Sequence, residues 1–296
     1  METSRWRGVV MVAGLLCASG VVAQEAAGGF PAQDEAAAVA WLDERLAQEK
    51  FDELLKATQP WMDQEKRPEV LWRYIRVLID TYEVRNAPDA EKLRAYALAE
   101  KLARRCLALP DAKEHPHCHF YLGAALGRQG TVKGVLQSLG DAKEVEHIWL
   151  KGLQLARGKP QYVLDGAPLE AEFDYVLGIY YRLVPEWWMI QMLFGTRGDL
   201  QKSIAYQRAA VKLHPELARQ IELAVSLLCR GDKEDDAAQT REGKALLQAV
   251  VAAPAPREVD RVDQRTAQKV LADPSLACGY SRDKPQNVTD QNAVAR

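Results

Sequence analysis

The stretch GDLQKSIAYQRAAVKLHP, residues 198–215, decides how the rest of this sequence is interpreted. Gly198-Asp199 opens an amphipathic segment and Pro215 closes it. Ser203, Gln207 and Ala210 follow at spacings of four and three residues, which places them on one side of a helix. The stretch is either an ordinary surface helix or half of a repeating unit, and recurrence of the same spacing elsewhere distinguishes the two.

The spacing does recur, in a pattern similar to the tetratricopeptide repeat. That repeat has Leu-Gly-x-x-Tyr on a first helix, then Ala-x-x-x-Phe and a closing Pro on a second, within about 34 residues. Leu177-Gly178-x-x-Tyr181 supplies the first helix for the opening stretch. The corresponding positions in the neighbouring units are Leu122-Gly123, Gly140-Asp141, Val145, Trp149, Gly152 and Pro160 upstream, and Leu223-Ala224, Gly231-Asp232 and Pro254 downstream. The opening stretch is therefore predicted to be half of a helical hairpin repeat.

The predicted fold is all-α, because apolar residues recur at intervals of three and four and no sustained two-residue alternation appears. Each hairpin hides its apolar face only by stacking on the next, which predicts an α-solenoid. The predicted hairpins are 34–64, 68–110, 116–160, 168–215 and 216–254, and Arg257–Leu271 is predicted as a C-terminal capping helix. The repeat domain spans 34–272, between a linker over 24–33 and a tail over 273–296 that we expect to be loose beyond Cys278.

Two hairpins are interrupted by insertions. Ala224 and Gly231 are seven residues apart in the regular unit, whereas Gly123 and Gly140 are seventeen apart and Gly178 and Gly198 are twenty apart. The second insertion, RLVPEWWMIQMLFGTR over residues 182–197, is apolar and aromatic. Insertions of this kind map to loops on one face of a repeat protein.

The interrupted hairpins resemble those of the regulator of microtubule dynamics family over roughly residues 116–230. The residues that carry the resemblance are Tyr175-x-x-Gly178-Ile179-Tyr180-Tyr181, Val184-Pro185-x-Trp187-Trp188, Leu193-Phe194-Gly195-Thr196 and His214-Pro215, with Gly134-Val135, Lys143-Glu144 and Trp149-Leu150-x-Gly152-Leu153 in the preceding unit. The family's proline pair after the Leu-Phe motif is absent, and Arg197-Gly198 stands there. The resemblance implies an α-solenoid and no catalytic residues.

A looser resemblance, in architecture and exported context, is to the periplasmic T component of tripartite ATP-independent transporters. That component is also an exported helical-repeat protein with interrupted hairpins. The resemblance implies a small-molecule-binding accessory role.

The N-terminus is predicted to be a secretory signal peptide over residues 1–23. Arg5 and Arg7 precede an apolar run over residues 9–23, and small residues lead to a cleavage position after Ala23. An uncleaved anchor fits less well, because the run is shorter than the roughly 20 residues that a membrane span needs. Lipid attachment at Cys17 is disfavoured by the bulky Leu16 before it. We therefore expect a periplasmic or secreted protein.

Export makes the remaining cysteines candidates for disulfides. Cys106, Cys118, Cys229 and Cys278 form an even set that allows three pairings. A Cys106–Cys118 bond would close a short loop, and a Cys229–Cys278 bond would hold the tail to the body. Four buried thiols are the alternative.

Composition and motifs favour binding over catalysis. Lysine plus arginine number 39 and aspartate plus glutamate number 41, so no overall basic field indicates nucleic acid. No nucleophile elbow, phosphate loop, zinc-protease motif or dinucleotide fingerprint occurs. The cluster EHPHCH over 114–119 has metal-like residues, but no second ligand cluster follows it. We predict no catalytic residues, no metal site, no cofactor and no enzymatic activity.

The aromatic residues of the second insertion and its preceding helix are the candidate binding site. Adjacent Trp187 and Trp188 cannot both face one narrow helical stripe, so one of them is expected at a surface or groove. Tyr175, Tyr180 and Phe194 complete the set, and inter-hairpin core packing is the alternative role for all five.

Two functions are compatible with these features. The first is an exported tetratricopeptide-like scaffold that mediates protein–protein interactions in the periplasm or envelope, with a protein partner of unknown identity. The alternative is a periplasmic accessory of a transporter that binds a small apolar ligand. Neither involves nucleic acid, and contact with a membrane would be only indirect.

Overall fold

A computed structural model describes residues 29–282 and 284–290. The predicted signal peptide, with its cleavage position Ala23, and most of the predicted linker lie outside the described residues. The described part of the chain forms twelve α-helices: α1 (Glu35–Ala47), α2 (Phe51–Thr58), α3 (Pro68–Val84), α4 (Asp89–Ala108), α5 (Pro116–Lys133), α6 (Leu139–Ala156), α7 (Leu169–Leu183), α8 (Trp188–Phe194), α9 (Leu200–Leu213), α10 (Leu217–Lys233), α11 (Ala237–Ala252) and α12 (Glu258–Ala272). Strands β1 (Val163–Leu164) and β2 (Ala167–Pro168) form a two-stranded antiparallel hairpin, and short 3₁₀ turns lie at Pro110–Ala112, Val135–Ser138 and Pro274–Leu276.

The helices form an all-α solenoid of five hairpins, as predicted. We call α1, α3, α5, α7 and α10 the first helices, and α2, α4, α6, α9 and α11 the second helices. From α3 onward, each first helix packs against its own second helix and against the second helix of the preceding hairpin. The first helices also contact one another in series, and α12 caps the last hairpin. The side of the solenoid that the first helices share is called the inner face.

Local sequence signals explain where several helices begin. The Asp199 side chain accepts the Lys202 backbone N–H at 2.9 Å and caps α9, which is the role expected for the Gly198-Asp199 pair. Asp34 and Asp236 cap α1 and α11 in the same way. Pro68 and Pro116 occupy the first turns of α3 and α5, where the missing N–H costs nothing.

The two insertions take different forms. The first lengthens α5, and the chain then turns at Gly134, whose φ of 109° suits glycine. The second forms the separate short helix α8, which packs against α6 and ends at Gly195 with a φ of 71°. Both interrupted hairpins therefore keep their two main helices in regular contact.

The four cysteines form two disulfides, Cys106–Cys118 and Cys229–Cys278, which is one of the three pairings that the sequence allows. Among the described residues, no helix has the length and apolar character that crossing a membrane requires.

The prediction of a loose tail is wrong for the described residues beyond Cys278. The Val135 backbone N–H donates to Gln286 Oε1 at 3.1 Å, and Gln286 Nε2 donates to the Thr131 carbonyl at 3.0 Å. Lys284 Nζ donates to Asp89 at 3.0 Å. The tail therefore runs back from the last hairpin to α5 and α4, where specific polar contacts replace the apolar contacts that its composition lacks.

The small residues of the first helices make room for large residues of the second helices. A Cβ atom at Gly123 would lie 2.2 Å from Trp149 Nε1, and one at Gly178 would lie 2.4 Å from Gln207 Nε2. Trp149 Nε1 donates to the Phe120 carbonyl at 3.2 Å, so its indole packs directly against the α5 backbone. Glycine is therefore required at both positions by the close approach of the partner helix.

We expect Gly123→Ala to lower the free energy of unfolding by about 1–3 kcal/mol, because the added methyl displaces Trp149. Gly140→Ala is the matched control, since it also lies in a helix but a Cβ there meets nothing within 4 Å. Helix propensity favours alanine at both sites, so the control should gain about 0.5–1 kcal/mol. Urea denaturation of both variants measures the two free energies of unfolding. If both variants were stabilised, or both destabilised, the prediction would be contradicted.

Candidate functional site

A cavity of about 290 Å³ lies on the inner face. Its walls come from α3, α5, α6, α7, one residue of α10, the β1–β2 turn and the tail. The volume is at the lower end of the range for small-molecule sites in proteins. Its apolar and aromatic lining residues include Ile79, Phe120, Leu139, Trp149, Val176 and Ile179.

Helical periodicity explains how so many separate residues reach one space. On α3 the lining residues recur at intervals of three, four and seven, and the same intervals recur on α7. Each set is therefore one stripe of its helix, turned toward the inner face. The members of these two stripes are Arg76, Ile79, Asp80 and Glu83 on α3, and Glu172, Tyr175, Val176, Ile179, Tyr180 and Leu183 on α7.

The β1–β2 turn adds a carboxylate from outside the helices. Asp165 and Gly166 form the turn with φ values of 52° and 78°, the pair of positive angles that a tight hairpin turn needs. Arg76 Nη2 donates to Asp165 Oδ2 at 2.7 Å. The Asp-Gly pair is a recognised hairpin signal, so this element was detectable in the sequence although the helical periodicity around it concealed it.

Carboxylates are concentrated where α3, α7 and the β1–β2 turn meet, and we call Asp80, Asp165 and Glu172 the acidic end of the cavity. Arg76 Nε donates to Asp80 Oδ2 at 3.0 Å, and Arg219 from α10 contacts Glu172. Burial raises the pKa of Glu172 to about 7, against the lowering effect of Arg219. Burial also raises the pKa of Asp80, against Arg76.

Tyr121 lies beside this acidic end on α5. Its side chain is only 4% exposed, and it lines the cavity. Its hydroxyl makes no hydrogen bond within the described part of the chain. Burial raises its pKa well above the usual value, so the hydroxyl keeps its proton. The hydroxyl oxygen is not fully enclosed by protein atoms, so it is accessible from the cavity, where a ligand could supply the hydrogen bond that the described residues do not.

The tail forms the remaining wall through Ser281 and Arg282. Arg182 of α7 holds the tail in place, since its Nη1 donates to the carbonyls of Ala277, Cys278 and Tyr280 at 2.9–3.1 Å. Arg282 Nη2 donates to Asp263 of α12 at 2.8 Å. The chain's own C-terminal segment therefore covers part of the inner face.

The five aromatic residues predicted as a binding site divide between three environments. Tyr175 and Tyr180 line the cavity. Trp187 and Phe194 are partly buried against the main core. Trp188 is 67% exposed and does not line the cavity. One tryptophan is exposed, as expected, but the reason differs: α8 begins at Trp188, and Trp187 lies before it in extended backbone. Neither residue lines the cavity.

Tyr180 also has a structural role. Its hydroxyl donates to the Ala142 carbonyl at 3.0 Å and lies 2.8 Å from Thr196 Oγ1. Thr196 donates in turn to Glu146 of α6. The threonine that closes the second insertion is therefore the residue that fastens it to the preceding hairpin.

Each histidine of the EHPHCH segment uses its Nε2 atom in a contact within the protein, and its Nδ1 atom is buried without a hydrogen-bond partner in the described part of the chain. His115 Nε2 lies 3.0 Å from Glu69, His117 Nε2 lies 2.9 Å from the Val163 carbonyl, and His119 Nε2 lies 3.1 Å from the Lys113 carbonyl. Cys118 is in a disulfide. Across residues 29–282 and 284–290, no group of three or more metal-ligating side chains is arranged to hold a metal ion.

No protein-family model matches the chain, and a search of curated proteins also finds no match.

Proposed function

We propose that this protein is an exported, non-enzymatic helical-repeat protein that binds a small molecule in the cavity of its inner face. The observation that carries the proposal is the cavity itself, whose size and mixed apolar and charged lining suit a small ligand. The two disulfides support an oxidising compartment, which fits the proposed signal peptide. The resemblance to the T component of tripartite ATP-independent transporters supports an accessory role in uptake.

The arrangement of the tail favours a small ligand over a peptide on the inner face. A scaffold of this architecture would hold an extended peptide along its first helices. That surface is partly covered by the tail, from Arg182 on α7 to Thr131 on α5. A peptide would have to displace the tail, whereas a small molecule need only enter the cavity.

A protein-interaction scaffold remains the second candidate, supported by a different surface. Helix α8 exposes Trp188, Met192 and Leu193 to 67%, 66% and 61%. Trp188 and Met192 are one helical turn apart, so they form a continuous apolar patch. Exposed aromatic and methionine side chains are enriched in protein interfaces. The resemblance to the regulator of microtubule dynamics family supports this role through shared architecture, because shape alone does not define function.

Native mass spectrometry of the full chain, purified without denaturation from cells that make it, tests both candidates. We expect a retained mass of a few hundred daltons on the wild type. Ala124→Trp should abolish it, because Ala124 lines the cavity and the indole would fill the space. Ala249→Trp, on the exposed face of α11, is the control and should retain it.

A polypeptide retained in fixed ratio and no small mass would instead favour the scaffold. If the folded Ala124→Trp variant still retained the small mass, the ligand would bind outside this cavity.

A further inference from the structure

The charge balance at the acidic end of the cavity indicates what kind of ligand it suits. Three carboxylates line this end, from Asp80, Asp165 and Glu172, but Arg76 is the single guanidinium among the described lining residues there. Arg76 serves two of the carboxylates, with contacts of 3.0 Å to Asp80 and 2.7 Å to Asp165. The Asp80 and Glu172 side chains are 27% and 15% exposed, whereas Asp165 is 59% exposed in the β1–β2 turn. Carboxylates that are withdrawn from water normally require a compensating positive charge.

The third carboxylate is also only partly compensated. Arg219 contacts Glu172 but donates equally to Glu216, at 2.6 Å, and its side chain is almost fully buried. Arg219 is therefore shared by two carboxylates, Glu172 and Glu216, just as Arg76 is shared by Asp80 and Asp165. Four carboxylates thus share two guanidiniums around this end of the cavity, and the two less exposed ones, Asp80 and Glu172, have pKa values that burial raises. An incoming cation would favour the ionised form of both.

Tyr121 provides an independent sign of a ligand. Its unpartnered hydroxyl reaches the cavity beside Arg76 and Asp80, where an incoming N–H group would meet a hydrogen-bond acceptor. The walls next to this end are apolar, with Ile79, Phe120 and Val176. The site thus combines negative charge and an acceptor at one end with an apolar body.

We propose that the cavity binds a small organic cation, an alkyl- or arylammonium, with its ammonium group at Asp80, Asp165 and Glu172, its N–H bonded to Tyr121, and its apolar part along Ile79, Phe120 and Val176. This deepens the proposed function, on which it rests. At this end an anionic ligand would have to displace Asp80 or Asp165 from Arg76, so its carboxylate would meet two like charges. The other two guanidiniums that line the cavity, those of Arg128 and Arg282, also contact carboxylates, at Glu83 and Asp263.

Isothermal titration calorimetry of the full chain with three matched probes tests the charge preference. The probes are hexylammonium, 1-hexanol and hexanoate, which share a chain and differ in charge. We expect hexylammonium to bind at least about tenfold more tightly than hexanol, the effect of a partly desolvated ion pair. Hexanoate should bind more weakly than either.

Variants then locate the ammonium group. Glu172→Gln keeps a hydrogen-bond acceptor for Arg219 but removes the charge. At pH 8, above the Glu172 pKa of about 7, it should weaken hexylammonium binding about tenfold while leaving hexanol unchanged. Asp165→Asn should act in the same direction, and asparagine tolerates the positive φ of that turn. Glu170→Gln is the matched control on α7, because Glu170 does not line the cavity and accepts instead from the Gly158 N–H.

Tyr121→Phe distinguishes a role of the hydroxyl in ligand binding from a role in stability. Its hydroxyl bonds nothing within the described part of the chain, so its removal should leave the urea midpoint unchanged and still weaken hexylammonium binding about tenfold. Thermal unfolding of every variant confirms that it folds.

Equal binding of hexanol or hexanoate would overturn the cation preference and leave small-molecule binding intact. Binding by none of the three at about 10 mM, well above a millimolar dissociation constant, would overturn the cation site. The retained-mass measurement on Ala124→Trp then decides separately whether the cavity binds another small molecule.

Discussion

Replacing Arg182 with leucine is expected to lower the free energy of unfolding by about 3–5 kcal/mol, the cost of breaking a buried ion pair from one side. Arg182 Nη2 donates to Glu222 Oε2 at 2.6 Å, and the two side chains are 0% and 3% exposed. Leucine would leave the buried Glu222 carboxylate without its hydrogen-bonded counter-ion, with only the more distant charges of Arg282 and Arg128, and would remove the donor from three tail carbonyls. Urea denaturation measures the first effect, and hydrogen exchange of the backbone amides of residues 277–282 measures the release of the tail.

The stability lost in Arg182→Leu should depend on pH in a defined direction. Burial already raises the pKa of Glu222, and Arg182 opposes that rise. Without Arg182 the folded-state pKa rises further above the unfolded value, so the folded state takes up the proton more readily. Stability of Arg182→Leu should therefore fall as pH rises from about 5 to 8, relative to the wild type.

Arg208→Leu is the control for Arg182→Leu. Arg208 pairs with Glu242 on the surface, where both side chains are well exposed, so its loss should cost less than about 1 kcal/mol. Similar losses from both substitutions would mean that the buried position of Arg182 contributes nothing, and unchanged amide exchange in the tail would mean that Arg182 does not anchor it.

Removing the Cys229–Cys278 disulfide by double substitution to serine is expected to cost about 4 kcal/mol, more than the roughly 3 kcal/mol for Cys106–Cys118. The reason is loop length, because the first bond joins cysteines 49 residues apart and the second joins cysteines 12 residues apart. The longer link restricts the unfolded chain more. Guanidinium denaturation of both double variants measures the difference.

The two disulfide variants also serve as controls for each other when amide exchange in the tail is measured. Loss of Cys229–Cys278 should increase amide exchange in residues 277–290, since that bond is the covalent link between the tail and α10. The Cys106–Cys118 bond joins no part of the tail, so its loss should leave that exchange unchanged. An equal or larger stability loss from the shorter loop would contradict the loop-length argument.

These two predictions concern one feature, the attachment of the tail across the inner face. Arg182 and the Cys229–Cys278 bond hold its beginning, and Gln286 and Lys284 hold its further part. Because Ser281 and Arg282 also line the cavity, loosening the tail should open the candidate site as well as destabilise the fold.

Local signals in the sequence were enough to establish the fold class, the hairpins and the two interrupted units. Those signals are the three-and-four spacing of apolar residues, the cap at Asp199 and the small residues Gly123 and Gly178. A pairing of cysteines that the sequence left among three choices is resolved in the structure as Cys106–Cys118 and Cys229–Cys278.

The candidate site was predictable only in part. Tyr175 and Tyr180 were identified by their aromatic character, and both line the cavity. Trp188 was identified by the same criterion, and it lies exposed on α8 because the insertion helix packs on α6 rather than on the inner face. Aromatic composition therefore indicates candidates but does not say which face of the solenoid they occupy.

The position of the cavity and the charges that face it follow from tertiary packing alone. Arg76, Asp165 and Glu172 belong to three elements, and each looks in the sequence like an ordinary solvated charge. Helical periodicity assigns a residue to a stripe of its own helix, but stacking of the hairpins and return of the tail determine which stripe is enclosed. Those contacts join residues far apart in the chain, so no local sequence pattern predicts them.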